Sequence, residues 1–253
     1  MPIEKGDFIL VDYTGKVKET GEVFDTTIEE VAKKERLYKE GDIYESRLIV
    51  VGEGWVLKAL DEGFSIFEVN KTASVEIPPD KAFGSRDPEK VRIVPLRRLT
   101  SRGITPQLGM RLEFDGKLAI VRTLGSGRVQ LDFNPPLAGK TLVYEVTVKK
   151  KLEAKAEKTA ALVHRRIPTI EIEKFGIKIG KNLAAIGVPE EAFLIEGIQL
   201  AKRGIATDIQ KFFPEITNVK FVEEFKRKEA AAAQKPKKET ASKASEKRRT
   251  KAK

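Results

Sequence analysis

The sequence predicts an α+β protein with three folded units followed by a basic tail, and three observations lead to this prediction. Residues 1–85 contain short β-branched and aromatic runs separated by Gly and Pro, a pattern typical of an antiparallel sheet. Over residues 86–128 the strand-like runs become shorter and more closely spaced, which indicates a small β-rich insertion. After a stretch rich in Lys, Glu and Ala, residues 158–226 mix strand and helix patterns, which predicts a small α/β unit.

In the first unit, apolar runs that end at Gly or Pro predict the strands. In chain order these strands cover residues 8–13, 22–25, 48–51, 72–77 and 141–148. The first strand is expected to end in a turn at Thr14-Gly15, because Gly favours turns. Helical spacing predicts an amphipathic helix over 28–37 and a second helix over 55–60, with Val56, Leu57 and Leu60 on one side.

The same patterns predict the elements of the insertion and of the third unit. The insertion should hold strands at 92–96, 111–114 and 118–122, around a core of Leu99, Met110, Leu112, Ile120 and Leu124. Residues 149–158 are predicted to be a charged linker, with a helix as one alternative for this stretch. The third unit should hold strands at 169–172, 175–179 and 219–225, and two helices, one beginning at Pro189 and one from Ile205 to Pro214, separated by a bend at Gly204.

The formal net charge of +10 is distributed unevenly along the chain. Residues 1–85 sum to −7, residues 86–128 to +6 and residues 226–253 to +9. The end of the chain has no aromatic residue and no apolar period, so we expect residues 227–253 to be disordered. This tail either binds the phosphates of RNA or simply keeps the protein in solution.

Composition and missing motifs exclude several classes of chemistry. The chain has no cysteine and one histidine, so thiolate catalysis, disulfides and His-rich metal clusters are excluded. It has no P-loop, no complete dinucleotide fingerprint and no nucleophile elbow, so we expect no cofactor and no metal site. His164 is expected to be an exposed polar residue in a linker. Without a signal peptide or a long apolar span, the protein is expected to be cytoplasmic.

Five short strings of residues, in a fixed order, carry the positive signal. They are Tyr13-Thr14-Gly15; Gly21-Glu22-Val23-Phe24-Asp25-Thr26; Val51-Gly52-Glu53-Gly54 with Val56-Leu57 and Leu60-Asp61-Glu62-Gly63; Ile77-Pro78-Pro79-Asp80-Lys81-Ala82-Phe83-Gly84; and Asp132-Phe133-Asn134-Pro135-Pro136-Leu137-Ala138-Gly139. In this order they resemble the FKBP-type peptidyl-prolyl cis-trans isomerases. The insertion is similar to the insert-in-flap domain of the SlyD subgroup, and the third unit resembles the extra C-terminal domain of long archaeal members.

The resemblance implies a half-barrel antiparallel sheet wrapped around a short helix, with an apolar pocket for proline between them. It implies a catalytic domain of residues 1–85 and 129–150, an insert domain of 86–128 and a C-terminal domain of 158–226. The residues that match pocket positions of the family are Tyr13, Phe24, Asp25, Val56, Leu57, Leu60, Phe83 and Tyr144. Prolyl isomerisation breaks no covalent bond, and its barrier of ~18–20 kcal/mol comes from lost amide resonance, so no nucleophile is needed.

The insert of SlyD-like proteins resembles a platform that holds unfolded polypeptide clients, here nascent or unfolded chains with X-Pro bonds. The residues expected to contact such clients are Val94, Leu96, Leu99, Met110 and Ile120. The alternative is a holdase associated with ribosomes or RNA that has little or no isomerase activity. Arg47, Phe83 and Pro135 depart from the family pattern and favour that alternative, as do the basic residues Arg97, Arg98, Lys247, Arg248 and Arg249. The third unit is a candidate contact between two copies of the chain.

Overall fold

The computed structural model describes residues 2–225, which form twelve strands and five α-helices. Antiparallel sheets dominate and helices are few, so the predicted α+β class is confirmed. The predicted basic tail of residues 227–253 lies outside the described residues.

Five strands form the first sheet, and its strands all pair in the antiparallel direction. They are β1 (Phe8–Val17), β2 (Val23–Thr26), β3 (Arg47–Val50), β4 (Thr72–Ile77) and β9 (Leu142–Leu152). β1 is hydrogen-bonded to β2, β3 and β9, and β9 carries β4 on its other side. Two short helices, α1 (Glu29–Lys34) and α2 (Lys58–Gly63), lie in the connections between strands.

The central strands of this sheet are buried on both faces. Successive side chains of a strand point to opposite faces, so Ile9 and Ile49 pack in the core around α2. Phe8 and Val50 point the other way, into a second core shared with the C-terminal part of the chain. Burial on both sides explains why β1 begins with a continuous apolar run rather than an alternating one.

The turn predicted at Thr14-Gly15 is wrong, because β1 continues through both residues to Val17. The chain turns instead at Thr20-Gly21, where Gly21 has a φ of 71°. A Cβ atom on Gly15 would lie 2.7 Å from the ring of Phe24 and 3.1 Å from that of Tyr144. Gly15 therefore allows two aromatic rings to approach the strand closely, a second use of glycine besides turns.

The insertion forms its own antiparallel sheet with the order β5-β8-β7-β6. Its elements are β5 (Val91–Pro95), α3 (Leu96–Thr100), β6 (Arg111–Phe114), β7 (Lys117–Gly125) and β8 (Arg128–Asp132). The sequence analysis did not predict α3 or β8. Because β8 pairs with both β5 and β7, this sheet extends to Asp132, four residues beyond the expected end of the insertion.

The core of the insertion differs from the predicted one at three positions. Leu99 and Leu112 are buried as expected, but Met110 is 38% exposed, Leu124 is 42% exposed and Ile120 is half-buried. The register of β7 turns Ala119 and Val121 inward, so the larger side chain between them faces outward. The remaining core residues, all buried, are Val94, Phe114, Val129 and Leu131.

The third unit consists of a three-stranded sheet and two helices. Its elements are α4 (Lys155–Arg166), β10 (Gly176–Ile179), β11 (Leu183–Val188), α5 (Ile198–Phe212) and β12 (Asn218–Glu223). β11 lies between the other two strands, antiparallel to β10 and parallel to β12. The predicted final strand is present but ends at Glu223, and the helix predicted from Pro189 is a short 3-10 turn, Glu190–Ala192.

Two predictions at the start of this unit differ from the structure. The stretch expected to be a charged linker over 149–158 is the end of β9 and, from Lys155, the first turn of α4, so its helical alternative is present in part; α4 buries Leu162 and Val163. The strand expected at 169–172 is a turn followed by the 3-10 turn Ile172–Lys174. Lys, Glu and Ala dominate the first half of α4. Such a composition indicates a solvent-exposed segment when the apolar residues that pack against the helix are distant in sequence.

The bend expected at Gly204 is also wrong, because α5 is continuous from Ile198 to Phe212. A Cβ atom on Gly204 would lie 3.0 Å from the guanidinium of Arg166 on α4. That guanidinium donates hydrogen bonds of 3.0 and 2.8 Å to Asp208, one turn further along α5. Gly204 thus makes room for an ion pair between the two helices.

An apolar core shared by the first sheet and the third unit joins them. Phe8 of β1 packs its ring 5.1 Å from that of Phe212 and 6.1 Å from that of Phe213. Leu162 and Val163 of α4 belong to the same buried cluster as Leu48 of β3. This packing holds the C-terminal end of α4 beside β3 of the first sheet.

Candidate functional site

A cleft of about 710 Å³ lies between the first sheet and the C-terminal end of α4. One wall comes from β1, β2, β3, β9 and the segment around α2, and we call it the sheet wall. Its main side chains are Tyr13, Asp25, Arg47, Trp55, Val56, Leu57, Leu60 and Tyr144. The opposite wall, the α4 wall, consists of Ala161, His164, Arg165, Arg166 and Pro168.

A buried carboxylate holds the segment that carries the apolar side chains of the sheet wall. Asp61 accepts hydrogen bonds from the backbone N–H groups of Gly52 and Gly54 at 2.8 and 3.0 Å. Both glycines have positive φ, 85° and 67°, a conformation that favours glycine. The Gly-Glu-Gly string is therefore a turn fixed by Asp61. The predicted helix over 55–60 is displaced, since α2 begins at Lys58, and Val56 precedes it in a bend and Leu57 in an extended conformation.

Tyr13 and Asp25 form a hydrogen-bonded pair in the cleft. The Tyr13 hydroxyl donates to a carboxylate oxygen of Asp25 at 2.8 Å, across the pairing of β1 with β2. The ring of Tyr144, on β9, lies 5.9 Å from that of Tyr13. Burial, followed by the charge of Asp25, raises the pKa of Tyr13 well above its usual value and that of Tyr144 to about 12. Both phenols are therefore neutral at physiological pH and can donate hydrogen bonds.

Arg47, which departs from the family pattern, lies in the sheet wall. Its guanidinium is 5.7 Å from the ring centroid of Tyr13, within the range of a cation–π contact. The adjacent Ser46 hydroxyl donates to Asp12 at 2.6 Å, which fixes the chain just before β3. Arg47 therefore places a positive charge on the sheet wall, which also carries the apolar side chains of Val56, Leu57 and Leu60.

The α4 wall is polar and basic. Arg165 stacks on Trp55, with its guanidinium carbon 3.8 Å from the indole centroid, and the edge of Trp55 meets Phe212 at 5.9 Å. Burial, followed by the charge of Arg166, lowers the pKa of Arg165. The expectation that His164 is an exposed linker residue is wrong, because it lies on α4 with its Nε2 atom 2.8 and 2.9 Å from the carboxylate oxygens of Glu45.

Six of the eight predicted pocket residues line this cleft, and two do not. The six are Tyr13, Asp25, Val56, Leu57, Leu60 and Tyr144. Phe24 lies behind the wall, where its ring meets that of Tyr144 edge-on at 5.7 Å, because it faces Gly15 across the strand pair. Phe83 follows the 3-10 turn Pro79–Lys81, does not line the cleft and is 43% exposed.

The sequence analysis missed the residues of the α4 wall and the role of Trp55. A detectable signal was the apolar triplet Ala161-Leu162-Val163 directly before His-Arg-Arg, which is a helix end with basic residues in its last turn. Nothing in the local pattern indicates that this helix end faces β3 and Trp55.

The residues predicted to contact clients lie in different environments within the insertion. Val94 and Leu99 are buried in its core, which leaves them almost no surface for a client. Leu96 and Ile120 are half-buried, and Met110 is partly exposed. The most exposed apolar side chains of the insertion are others, namely Leu118, Leu108 and Ile93.

The predicted nucleic-acid residues are also dispersed. Arg97 is exposed on α3, whereas Arg98 packs on the ring of Phe114 at 5.2 Å and lies 3.8 Å from Asp115. Lys247, Arg248 and Arg249 lie outside the described residues.

A polar network forms the neck between the insertion and the first sheet. Asp132 is almost fully buried and accepts hydrogen bonds from Arg86 at 2.9 Å and from Arg122 at 3.0 Å. The side chain of Asn134 bridges Asp132 and the backbone carbonyl of Asp87. Burial opposes ionisation of Asp132, but the hydrogen bonds from Asn134 and Arg122 outweigh it and lower its pKa. This network fixes where the insertion leaves the sheet.

Within residues 2–225, no helix is long and apolar enough to cross a membrane. The same residues contain no group of three or more His, Asp or Glu side chains arranged to hold a metal ion.

Comparison with known protein families matches two parts of the chain. Residues 92–137 match the family described as "FKBP26, IF domain", and residues 155–226 match "FKBP26_C-terminal". The first match contains the sheet of the insertion, and the second contains the whole unit that provides the α4 wall.

Curated relatives also match the chain. A short-type peptidyl-prolyl cis-trans isomerase of Methanocaldococcus jannaschii is 36% identical over 155 residues, which is 61% of this chain and 98% of the relative. The FKBP-type isomerase SlyD of Treponema pallidum is 28% identical over 65% of this chain and 87% of its own length. A probable FKBP-type 16 kDa isomerase of Pseudomonas fluorescens is 29% identical over 39% of this chain and 67% of its own length.

Proposed function

The chain belongs to the FKBP-type peptidyl-prolyl cis-trans isomerases and is SlyD-like. From this premise we propose that the cleft isomerises X-Pro bonds in unfolded or nascent polypeptides while the insertion holds the polypeptide client. The observation that carries the proposal for the cleft is the Tyr13–Asp25 pair, which is set against the apolar side chains of Leu57 and Leu60.

The cleft suits a reaction that twists an amide and breaks no bond. A twisted amide has lost resonance and is less dipolar than a planar one, so an apolar, water-poor surface binds it better than the planar ground state. Val56, Leu57 and Leu60 supply that surface for the proline ring. Tyr144, which stays neutral, can donate a hydrogen bond to a client carbonyl, and Asp25 orients the hydroxyl of Tyr13.

Exposed apolar side chains support the proposal that the insertion holds clients. Leu118 is 77% exposed and Ile93 is 64% exposed, on strands of the same small sheet. Apolar side chains exposed on one small sheet favour binding of extended apolar segments, and β5 and β6 are edge strands that can pair with such a segment.

The second candidate function, a holdase that binds ribosomal or other RNA, is supported by the +6 charge of residues 86–128. Exposed Arg97 could contact a phosphate, whereas Arg98 and Arg102 already lie beside Asp115. Within the described residues the isomerase cleft is the better-defined site, so we assign RNA binding the lesser weight.

One experiment separates the two activities that we propose. Exchange between cis and trans forms of a short blocked Ala-Pro peptide is measured by NMR, and aggregation of a chemically denatured client protein is followed by light scattering. The wild type should accelerate the exchange and suppress the aggregation. A double variant, Ile93→Ser with Leu118→Ser, should keep the peptide activity and lose most of the suppression.

Leu200→Ser is the matched control, since Leu200 is equally exposed but lies on α5. If the double variant suppresses aggregation as well as the wild type does, the insertion is not the client surface. If the wild type does not accelerate peptide exchange, the proposal for the cleft is wrong.

A further inference from the structure

The sheet wall and the α4 wall each present a guanidinium group to the same cleft, and neither group has an ionic partner within residues 2–225. Arg47 rests on the ring of Tyr13 and Arg165 rests on Trp55. The structure assigns neither of them an ion pair with a carboxylate of the described chain. Arg166, the third arginine of the cleft, is paired with Asp208.

The carboxylates that face the cleft are already engaged. Asp25 accepts the hydrogen bond of Tyr13, and Glu45 contacts the Nε2 atom of His164. The cleft therefore holds two cations, Arg47 and Arg165, whose charges are not directly neutralised, on opposite sides of an apolar floor.

We propose that this isomerase prefers prolines flanked by an acidic residue, which Arg47 and Arg165 bind from the two walls. The inference rests on the proposed function of the cleft and adds the class of client. Arg165 stacks on Trp55 at 3.8 Å, and Arg47 lies over the ring of Tyr13 at 5.7 Å. Neither contact uses the N–H donors of the guanidinium group, which leaves them for a carboxylate.

The net charge of the catalytic domain limits the proposed preference for acidic residues to direct contacts within the cleft. Residues 1–85 carry a net charge of −7, so the body of the catalytic domain repels an acidic peptide at long range. At about 0.15 M salt the screening length is about 8 Å, which weakens this repulsion but leaves direct contacts in the cleft. The preference should therefore be measured at that ionic strength.

The unit that provides Arg165 matches the family described as "FKBP26_C-terminal". The short-type relative of M. jannaschii is matched over 98% of its length by only 61% of this chain. That relative is thus the shorter protein. The proposal gives α4 a role in choosing clients that the catalytic domain does not supply by itself.

The test measures kcat/KM for cis/trans exchange of blocked peptides without charged ends, Ala-Xaa-Pro-Phe and Ala-Ala-Pro-Xaa, with Xaa as Glu, Gln or Lys. Arg47 and Arg165 recognise the residue either before or after proline, and in the corresponding series kcat/KM of the wild type should be about fivefold higher for Glu than for Gln. It should be lower for Lys than for Gln. A difference of this size is expected for a partly exposed charge pair. Arg165→Gln and Arg47→Gln should each reduce the Glu-to-Gln ratio, and the double variant should bring it close to one.

Arg165→Lys should restore part of the ratio, since it returns the charge without the planar donor fork. Arg203→Gln, which removes an exposed positive charge from α5, should leave both the ratio and the activity unchanged. The same ratio for Glu and Gln peptides in the wild type, in both series, would overturn the inference while leaving the isomerase intact. A wild type that accelerates none of the peptides would instead overturn the proposed function.

Discussion

The two walls of the cleft differ in how they are built and in what they present. The sheet wall comes from strands and a turn that follow one another over residues 13–60, with Tyr144 added by β9, and it presents apolar side chains around the partly buried Tyr13–Asp25 pair. The α4 wall comes from a helix that begins after the last strand of the first sheet, and it presents His164, Arg165 and Arg166. In our proposal the apolar and hydrogen-bonding side chains of the first wall serve the amide twist, whereas the second wall, together with Arg47, serves recognition of the residues around the proline.

This division predicts that changes to the sheet wall other than at Arg47 reduce activity on every substrate, whereas changes to Arg47 and to the α4 wall alter mainly the choice among substrates. The following predictions test the division, beginning with the largest expected effect.

Asp61→Ala should have the largest effect, because it removes the acceptor for the backbone N–H groups of Gly52 and Gly54. Hydrogen bonds to a charged group contribute about 1.5–3 kcal/mol, so we expect the free energy of unfolding to fall by about 3 kcal/mol in urea denaturation. Because Val56 and Leu57 would lose their fixed position, kcat/KM should fall by more than about tenfold.

Glu62→Ala is the matched control for this change. Glu62 is the next residue on α2 and is exposed, with a 3.8 Å ion pair to Lys58 that contributes little. Equal losses from both substitutions would show that the Asp61 turn does not hold the sheet wall.

Tyr13→Phe should reduce kcat/KM about tenfold on neutral and acidic peptides alike. The change leaves Asp25 without its 2.8 Å donor, and a hydrogen bond of this strength corresponds to about a tenfold change in rate. Tyr38→Phe is the control, since Tyr38 is also a tyrosine but lies on the surface, stacked on Tyr44. A loss that appears only with acidic peptides would contradict the general role that we give to the sheet wall.

The alkaline limit of stability should depend on Tyr144. Its pKa is raised to about 12 in the folded protein, whereas it is about 10 in the unfolded chain. Between these values the unfolded chain releases a proton that the folded protein keeps, so stability falls as pH rises from about 10 to about 12 and is unaffected below pH 10. At pH 11 the resulting loss in the free energy of unfolding is about 1 kcal/mol.

Urea denaturation at pH 9 and pH 11, for the wild type and Tyr144→Phe, measures this contribution. The variant should lose less stability than the wild type between the two pH values. An identical loss in both proteins would mean that Tyr144 ionises as easily in the folded state as in the unfolded one.

Glu45→Gln should have the smallest effect. The contact between His164 and Glu45 is partly exposed, with side chains 27% and 39% accessible, so its removal should cost less than about 1 kcal/mol. With neutral peptides kcat/KM should stay within about twofold of the wild type. Glu157→Gln, which removes a charge from the solvent side of α4, is the control. A tenfold loss with Glu45→Gln alone would show that the α4 wall takes part in the amide twist.

The sheet wall could be predicted from the sequence because its residues are close together along the chain. Five of its side chains belong to short strings whose order resembles the family, and these strings report local turns and strand ends; they are Tyr13, Asp25, Val56, Leu57 and Leu60. Where the prediction fails, at Gly15 and Phe24, the cause is a contact between residues on adjacent strands. Glycine at position 15 indicates a turn until the ring of Phe24 is known to lie against it.

The α4 wall could not be predicted in the same way. Residues 155–160 carry few apolar side chains, so the first half of α4 looks like a charged linker. Its position depends on the packing of Leu162 and Val163 against Leu48 and Phe8, more than 110 residues earlier in the chain. Both the contact between Arg165 and Trp55 and the continuity of α5 at Gly204 follow from that long-range packing.

The central claim is that X-Pro bonds isomerise between cis and trans in the cleft beside Asp25. The most direct test measures, by NMR exchange, the cis/trans rate of a blocked Ala-Pro peptide with the wild type, with Asp25→Ala and with Asp115→Ala, an exposed aspartate in the turn between β6 and β7 of the insertion. We predict clear acceleration by the wild type and by Asp115→Ala, and a loss of about tenfold or more with Asp25→Ala. Equal rates for Asp25→Ala and the wild type would contradict the claim.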